Sequence, residues 1–119
     1  MQEQKQPTIS VVNKYGFISG GCIADMLDRE ALFHVNKCFP DTTKDMQLYT
    51  AVLNVSYKKQ LCDISGIHFR SDHRILSRAD QPFEITVLIE LWQDNTLIAD
   101  ALVRFKQSQR NYCESKMEK

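Results

Sequence analysis

No stretch of this 119-residue sequence is both long and apolar enough to cross a bilayer. Its opening, MQEQKQPT, lacks the apolar segment of a secretory signal, so a soluble intracellular protein, cytoplasmic by default, is expected. Neither sign of charge is in excess: Lys plus Arg is 15 and Asp plus Glu is 15. Such a chain has no net field to draw in nucleic acid or a charged membrane surface, and neither partner is expected. The four cysteines, Cys22, Cys38, Cys62 and Cys113, include no C-x-x-C pair, and His34, His68 and His73 form no H-E-x-x-H. Free thiols and no protein-held metal follow as expectations. G-x-S-x-G is absent, which denies Ser19 the setting of a serine nucleophile.

What remains is an ordinary globular composition, 43% hydrophobic and 25% charged, of a length that fits one domain with one modest core. Residues 1–7 and the polar tail 108–119 read as frayed, leaving a domain at 8–107. TISVV is a β-branched run and reads as a strand. NKYGFISGG reads as a loop, after which Ile23, Met26, Leu27, Ala31, Leu32, Phe33 and Val35 repeat with helical spacing from Gly21 to about Lys37. Apolar side chains on so many sides predict a helix mostly wrapped by other structure, ended by Pro40. MQLYTAVLNVSYKK, LCDISGIHFR, FEITVLIELWQ and TLIADALVRFK read as strands. SDHRILSRADQP reads as an extended or looping connection, and Asp94-Asn95 as the turn of a hairpin. One helix followed by four strands predicts an α+β fold, an antiparallel sheet curled around the helix. A single helix covers only one sheet face, so a symmetric oligomer is expected to cover the rest.

Two features of "NKYGFISGGCIADMLD" point to chemistry. On a helix, Asp28 stacks with Ala24, Leu32 and Val35, whereas Asp25 and Arg29 are spaced to pair in solvent. Asp28 is therefore the acid expected to be partly desolvated, a setting that makes a carboxylate a better base; the alternative is a helix-edge acid that reaches water. The pair Gly20-Gly21 opens the helix, where backbone N–H groups lack intrahelical partners and the dipole favours negative charge. Glycines there admit a substrate carbonyl, making an oxyanion site for acyl transfer; alternatively they only let the loop turn tightly.

Asn13, Gly16, Gly20, Gly21 and Asp28 together follow N-x-x-G-x-x-[H]-G-G with an acid seven positions on. That pattern resembles the hotdog-fold acyl-CoA thioesterases of the phenylacetate-pathway and small mammalian type. TAVLNVSY, with Thr50 ahead of Asn54 and Tyr57, is similar to the family's next strand, and TLIADALVRF to its last. The resemblance implies a hotdog fold, a curved antiparallel sheet around one long helix, in dimers or dimers of dimers with active sites at the subunit interface. It implies an acyl-CoA substrate, no cofactor, and Asp28 as general base for water or, second, as nucleophile. Thr50 from the facing subunit holds the water on this reading, the Gly20 N–H binds the thioester oxygen, and Asn13 assists at the carbonyl. Ser19 and Gly21 join the substrate contacts, and Phe17, Ile18, Met26 and Tyr49 are candidates to line an acyl tunnel.

Ser19 departs from the family, which commonly has His there; serine can donate a hydrogen bond but does not titrate near neutrality. The stretch 71–82 is longer than the family's tight turn. Arg70, Arg74, Arg78, Arg104 and Lys106 are candidates for the CoA phosphates, Arg74 first because it is expected near that loop's tip. Cys22, at the helix start, raises a thiol mechanism with His34 or His68 as base, but without an orienting third group. A non-catalytic module that binds acyl thioesters or partners stays open, as does a dehydratase, which generally needs the His that Ser19 replaces.

Overall fold

The computed structural model describes residues 12–108. The strand expected at 8–12 lies outside them apart from Val12, which makes one antiparallel bridge with Ile18. The two tails and Cys113 also lie outside, Ser108 excepted. Six elements follow: α1 (Gly20–Cys38), α2 (Pro40–Thr43), β1 (Leu48–Tyr57), β2 (Ile67–Ile75), β3 (Glu84–Gln93) and β4 (Thr96–Gln107). The four strands form one antiparallel sheet in the order β1-β4-β3-β2.

Alternation builds the core. Along β3, Ile85, Val87, Ile89 and Leu91 face inward; opposite them on β4 stand Phe105, Val103, Ala101 and Ala99. Onto this surface α1 lays Ile23, Leu27, Ala31 and Val35, one residue per turn and all buried. Burying an Ile, Leu or Val side chain contributes roughly 1.5–3 kcal/mol, so this stripe fixes the helix on the sheet. The helix is not wrapped on every side, however: Phe33 is 61% exposed, because the sheet meets α1 along one stripe only.

Pro40 ends α1 as expected and also starts α2, where its missing N–H would have had no partner. The β3–β4 hairpin turns on Asp94-Asn95, with Asp94 at φ 52, a left-handed value that Asp tolerates. Gly66 sits at φ 70, the left-handed region that favours glycine, and a Cβ there would press on the Asp94 carboxylate.

Two sequence expectations fail between β1 and β3. Residues 61–66 form a loop rather than the start of a strand: Leu61 is buried and its carbonyl accepts the Ile18 N–H at 2.7 Å, while Ser65 folds back onto Asp63. Conversely, Ser71 to Ile75 continue β2 rather than forming a connection. Sheet pairing with β3 overrides the weak strand preference of that polar segment. Arg74 therefore sits within a strand, opposite Thr86, and not at a loop tip.

Leu27→Ala should lower unfolding free energy by about 2–5 kcal/mol, the usual cost of a buried cavity. Asp25→Ala, which removes only the exposed pair with Arg29, should stay within about 0.5 kcal/mol. Urea denaturation of the two variants checks the difference.

Candidate active site

Ser19 is the N-cap of α1, with φ −65 and ψ 149, and its Oγ accepts the Cys22 N–H at 3.2 Å. The Ile23 N–H goes to the Ser19 carbonyl at 3.1 Å. Helix geometry leaves the N–H groups of Gly20 and Gly21 without intrahelical partners. No acid stands in the first turn to compete for that positive end.

Tyr57, near the end of β1, reaches across and donates its O–H to the Gly20 carbonyl at 2.7 Å. Its ring lies so close that a Cβ on Gly20 would meet it at 3.3 Å. Gly20 is thus fixed by a close approach. At Gly21 a Cβ would meet nothing within the chain, so nothing in its own subunit demands glycine there. The Tyr57 contact was not anticipated from the sequence, although Tyr57 stood in the quoted motif.

Asn13 closes the preceding loop. Its side-chain oxygen accepts the N–H groups of Tyr15 and Phe17 at 2.9 and 3.2 Å, and Gly16 turns the chain at φ 87. That oxygen is committed to the loop, so a substrate contact from Asn13 falls to its amide NH₂.

Asp28 lies beside the buried stripe, one position past Leu27, and is half-buried. Thr50 Oγ1 donates to its Oδ1 at 2.8 Å. The sequence reading brought Thr50 in from a facing subunit; instead β1 of the same chain supplies it. Thr50 faces inward opposite Phe105, just before the bulge between Thr50 and Val52. Asp25 pairs with Arg29 at 2.8 Å in solvent, as its spacing predicts. The two acids of this helix have the different surroundings expected of them.

Other candidates are not brought to Asp28. Arg74 pairs with Thr86 on the outer sheet face, away from α1. Arg70 lies over the Trp92 ring, 4.6 Å from its centroid, and Arg104 lies 3.8 Å from Glu84. Ile18 belongs to the core, and Tyr49 sits opposite Lys106 on the outer face, so neither faces Asp28 within its own chain. The thiol mechanism finds no base: His34 faces His73, and His68 stacks on Trp92.

Sequence reasoning also missed a cluster at the other edge of the sheet. His34 Nε2 lies 2.9 Å from His73 Nδ1, and Cys38 Sγ lies 3.7 Å from His34 Nε2. Burial first, then the neighbouring His73, holds His34 below the ordinary imidazole value. The spacing of His34 and Cys38, four apart on a helix, was visible in the sequence; His73 needed the sheet register.

No protein-family model matches this sequence, and no curated protein does. Solved structures do. The BH2602 protein from Bacillus halodurans, determined with CoA, superposes with TM-score 0.59 at 23% identity over 84% of this chain. This chain spans only 62% of that protein's length. A phenylacetic acid degradation-related protein from Ralstonia eutropha gives TM-score 0.57 at 24% identity, covering 81% of this chain and 67% of the other. The gentisyl-coenzyme A thioesterase BH1999 gives 0.61 at 13% identity, covering 84% and 81%. These likenesses establish the fold: an α+β hotdog, with α1 against the inner face of an antiparallel sheet.

Ser19→Ala should cost about 0.5–2 kcal/mol of stability through loss of the cap, while Ser19→Asp, which caps equally well, should cost little. Equal stability of the parent and Ser19→Ala in urea would show that the cap contributes nothing.

Proposed function

We propose that the chain is an acyl-CoA thioesterase, with Asp28 as general base and the start of α1 as the oxyanion site. The observation that carries this reading is the Thr50–Asp28 hydrogen bond at 2.8 Å, which joins two residues of the sequence motif lying 22 positions apart. With Thr50 occupying Oδ1, the other carboxylate oxygen is left to take a proton from water. Solved neighbours named as thioesterases or determined with CoA support the substrate class.

The reaction follows from these groups. Water attacks the thioester carbon as Asp28 removes its proton, and the oxygen gathers negative charge at the N–H groups of Gly20 and Gly21. The intermediate then expels the CoA thiolate, a leaving group stable enough to depart with little acid assistance. The proton from Asp28 goes to that sulfur or to solvent. No His is required at Ser19, whose oxygen is already engaged as a cap.

One chain does not hold both halves of this site. Eight residues of helix separate Gly20 from Asp28, about 12 Å at 1.5 Å per residue, whereas a reacting carbon must lie within roughly 3–3.5 Å of its partners. Gly20, Ala24 and Asp28 share one face of α1, with Ala24 midway. A second copy running antiparallel, with its two-fold axis near Ala24, sets Gly20 of one subunit against Asp28 of the partner subunit, and the reverse. Two equal sites result. Asp28 and Thr50 then come from one subunit, and Gly20, Gly21 and Asn13 from the other. The exposed edge strand β1, with Tyr49, Val52, Leu53 and Tyr57 at its surface, supplies apolar area for such an interface.

Asp28→Asn should lower kcat by about 10²–10⁴-fold on an acyl-CoA with little change in binding, the usual contribution of a general base. Thr50→Ala should fall between that and the parent, and Asp25→Asn should match the parent. An Asp28→Asn enzyme as fast as the parent removes the base from the mechanism and puts the binding-module reading ahead.

A further inference from the structure

We propose that His34, Cys38 and His73 form a binding site for one tetrahedral transition-metal cation of the Zn²⁺ class. The three donor atoms all lie within 4.8 Å of one another. Around a tetrahedral zinc, with bonds of about 2.0–2.3 Å, donor atoms stand roughly 3.3–3.7 Å apart. The observed 2.9 Å between the imidazole nitrogens and 3.7 Å from Cys38 Sγ to His34 Nε2 are within a few tenths of an ångström of those edges. Two imidazoles and a thiolate are the donor set such cations prefer, and water completes the fourth position.

The local structure holds the donors together. His34 and Cys38 are one turn apart on α1, and His73 faces inward from β2, opposite Val87. Phe39 packs edge-on against the His73 ring, with centroids 5.0 Å apart. On binding, Cys38 loses its thiol proton to solvent, and each imidazole places its N–H on the ring nitrogen away from the metal. The short contact between the two histidines is then replaced by a shared ligand.

This site is separate from the hydrolytic one. His34 lies six residues beyond Asp28, about 9 Å along the helix, and it faces edge strand β2 where Asp28 faces edge strand β1. A cation here clamps the end of α1 to a strand that, among the described residues, pairs with β3 alone. Its contribution is to stability.

Co²⁺ titration of the full-length chain, stripped with chelator and kept reduced, tests the proposal. The parent should saturate at one equivalent, with intense tetrahedral d–d bands and a thiolate-to-cobalt charge-transfer band. Cys38→Ser should lose the charge-transfer band. His73→Asn should weaken binding by more than about a hundredfold, since even outer-shell changes cost 10–100-fold. Cys62→Ser, which changes an exposed thiol elsewhere, should match the parent. One equivalent of Zn²⁺ should raise the Tm of the parent and not of His73→Asn, with unchanged far-ultraviolet circular dichroism confirming that the variants fold. Absence of the charge-transfer band in the parent, its survival in Cys38→Ser, or parental affinity in His73→Asn would each overturn the site.

Discussion

Four side chains along one stripe of α1, Ile23, Leu27, Ala31 and Val35, leave water only by lying on the inner face of β3 and β4. That burial sets the rotation of the helix about its axis, and the rotation sets everything else. The next row over, Gly20, Ala24 and Asp28, comes to rest at the margin of the contact, beside β1. Tyr57 and Thr50 of that strand meet Gly20 and Asp28 there. On the other side of the stripe the same rotation turns His34 toward β2 and His73. A helix rotated by one residue would lose both meetings along with its core.

The margin also explains why a carboxylate is placed at 28 rather than only at 25. Asp25 pairs with Arg29 in solvent. Asp28 lies beside the buried stripe and accepts one hydroxyl, from Thr50, at Oδ1. The same row carries the open helix start two turns away, too far for one thioester. The two-fold arrangement proposed above would resolve the mismatch, because an antiparallel second helix would bring each end of the row to the opposite end of its mate. The exposure of Phe33 and of β1 fits a chain whose surface is completed by a copy of itself.

Local pattern in the sequence carried much of this. The extent of α1, the hairpin at Asp94-Asn95, the inward alternation of β3 and β4 and the Asp25–Arg29 pair all follow from spacing within a few residues. Features that depend on distant pairing were not legible. Ser71–Ile75 is too polar to announce itself as a strand, and only its ladder with β3 makes it one, which in turn moved Arg74 off a loop tip. Ser19 was weighed against the family's His and so as a substrate contact, while its backbone makes it a cap. The motif grouped Thr50 with Asp28 but assigned it to a facing subunit, whereas the Thr50–Asp28 hydrogen bond lies within one chain. The histidine and cysteine cluster was half visible, as two donors one turn apart, and lacked its third member until the sheet was assembled.

If the carboxylate and the oxyanion donors of one site belong to different subunits, as proposed, mixed oligomers will reveal it. A Cβ at Gly21 meets nothing within 4 Å among the described residues, so Gly21→Val is chosen to block the approach to the helix start, and Asp28→Asn removes the base. Each variant alone should be nearly inactive. Co-refolded as mixed dimers, they should regain activity, up to about half that of the parent per dimer, because one of the two sites then contains an intact Gly21 and an intact Asp28. Mixed dimers that form, as judged by differential tagging, yet remain as inactive as either variant alone would contradict the shared site.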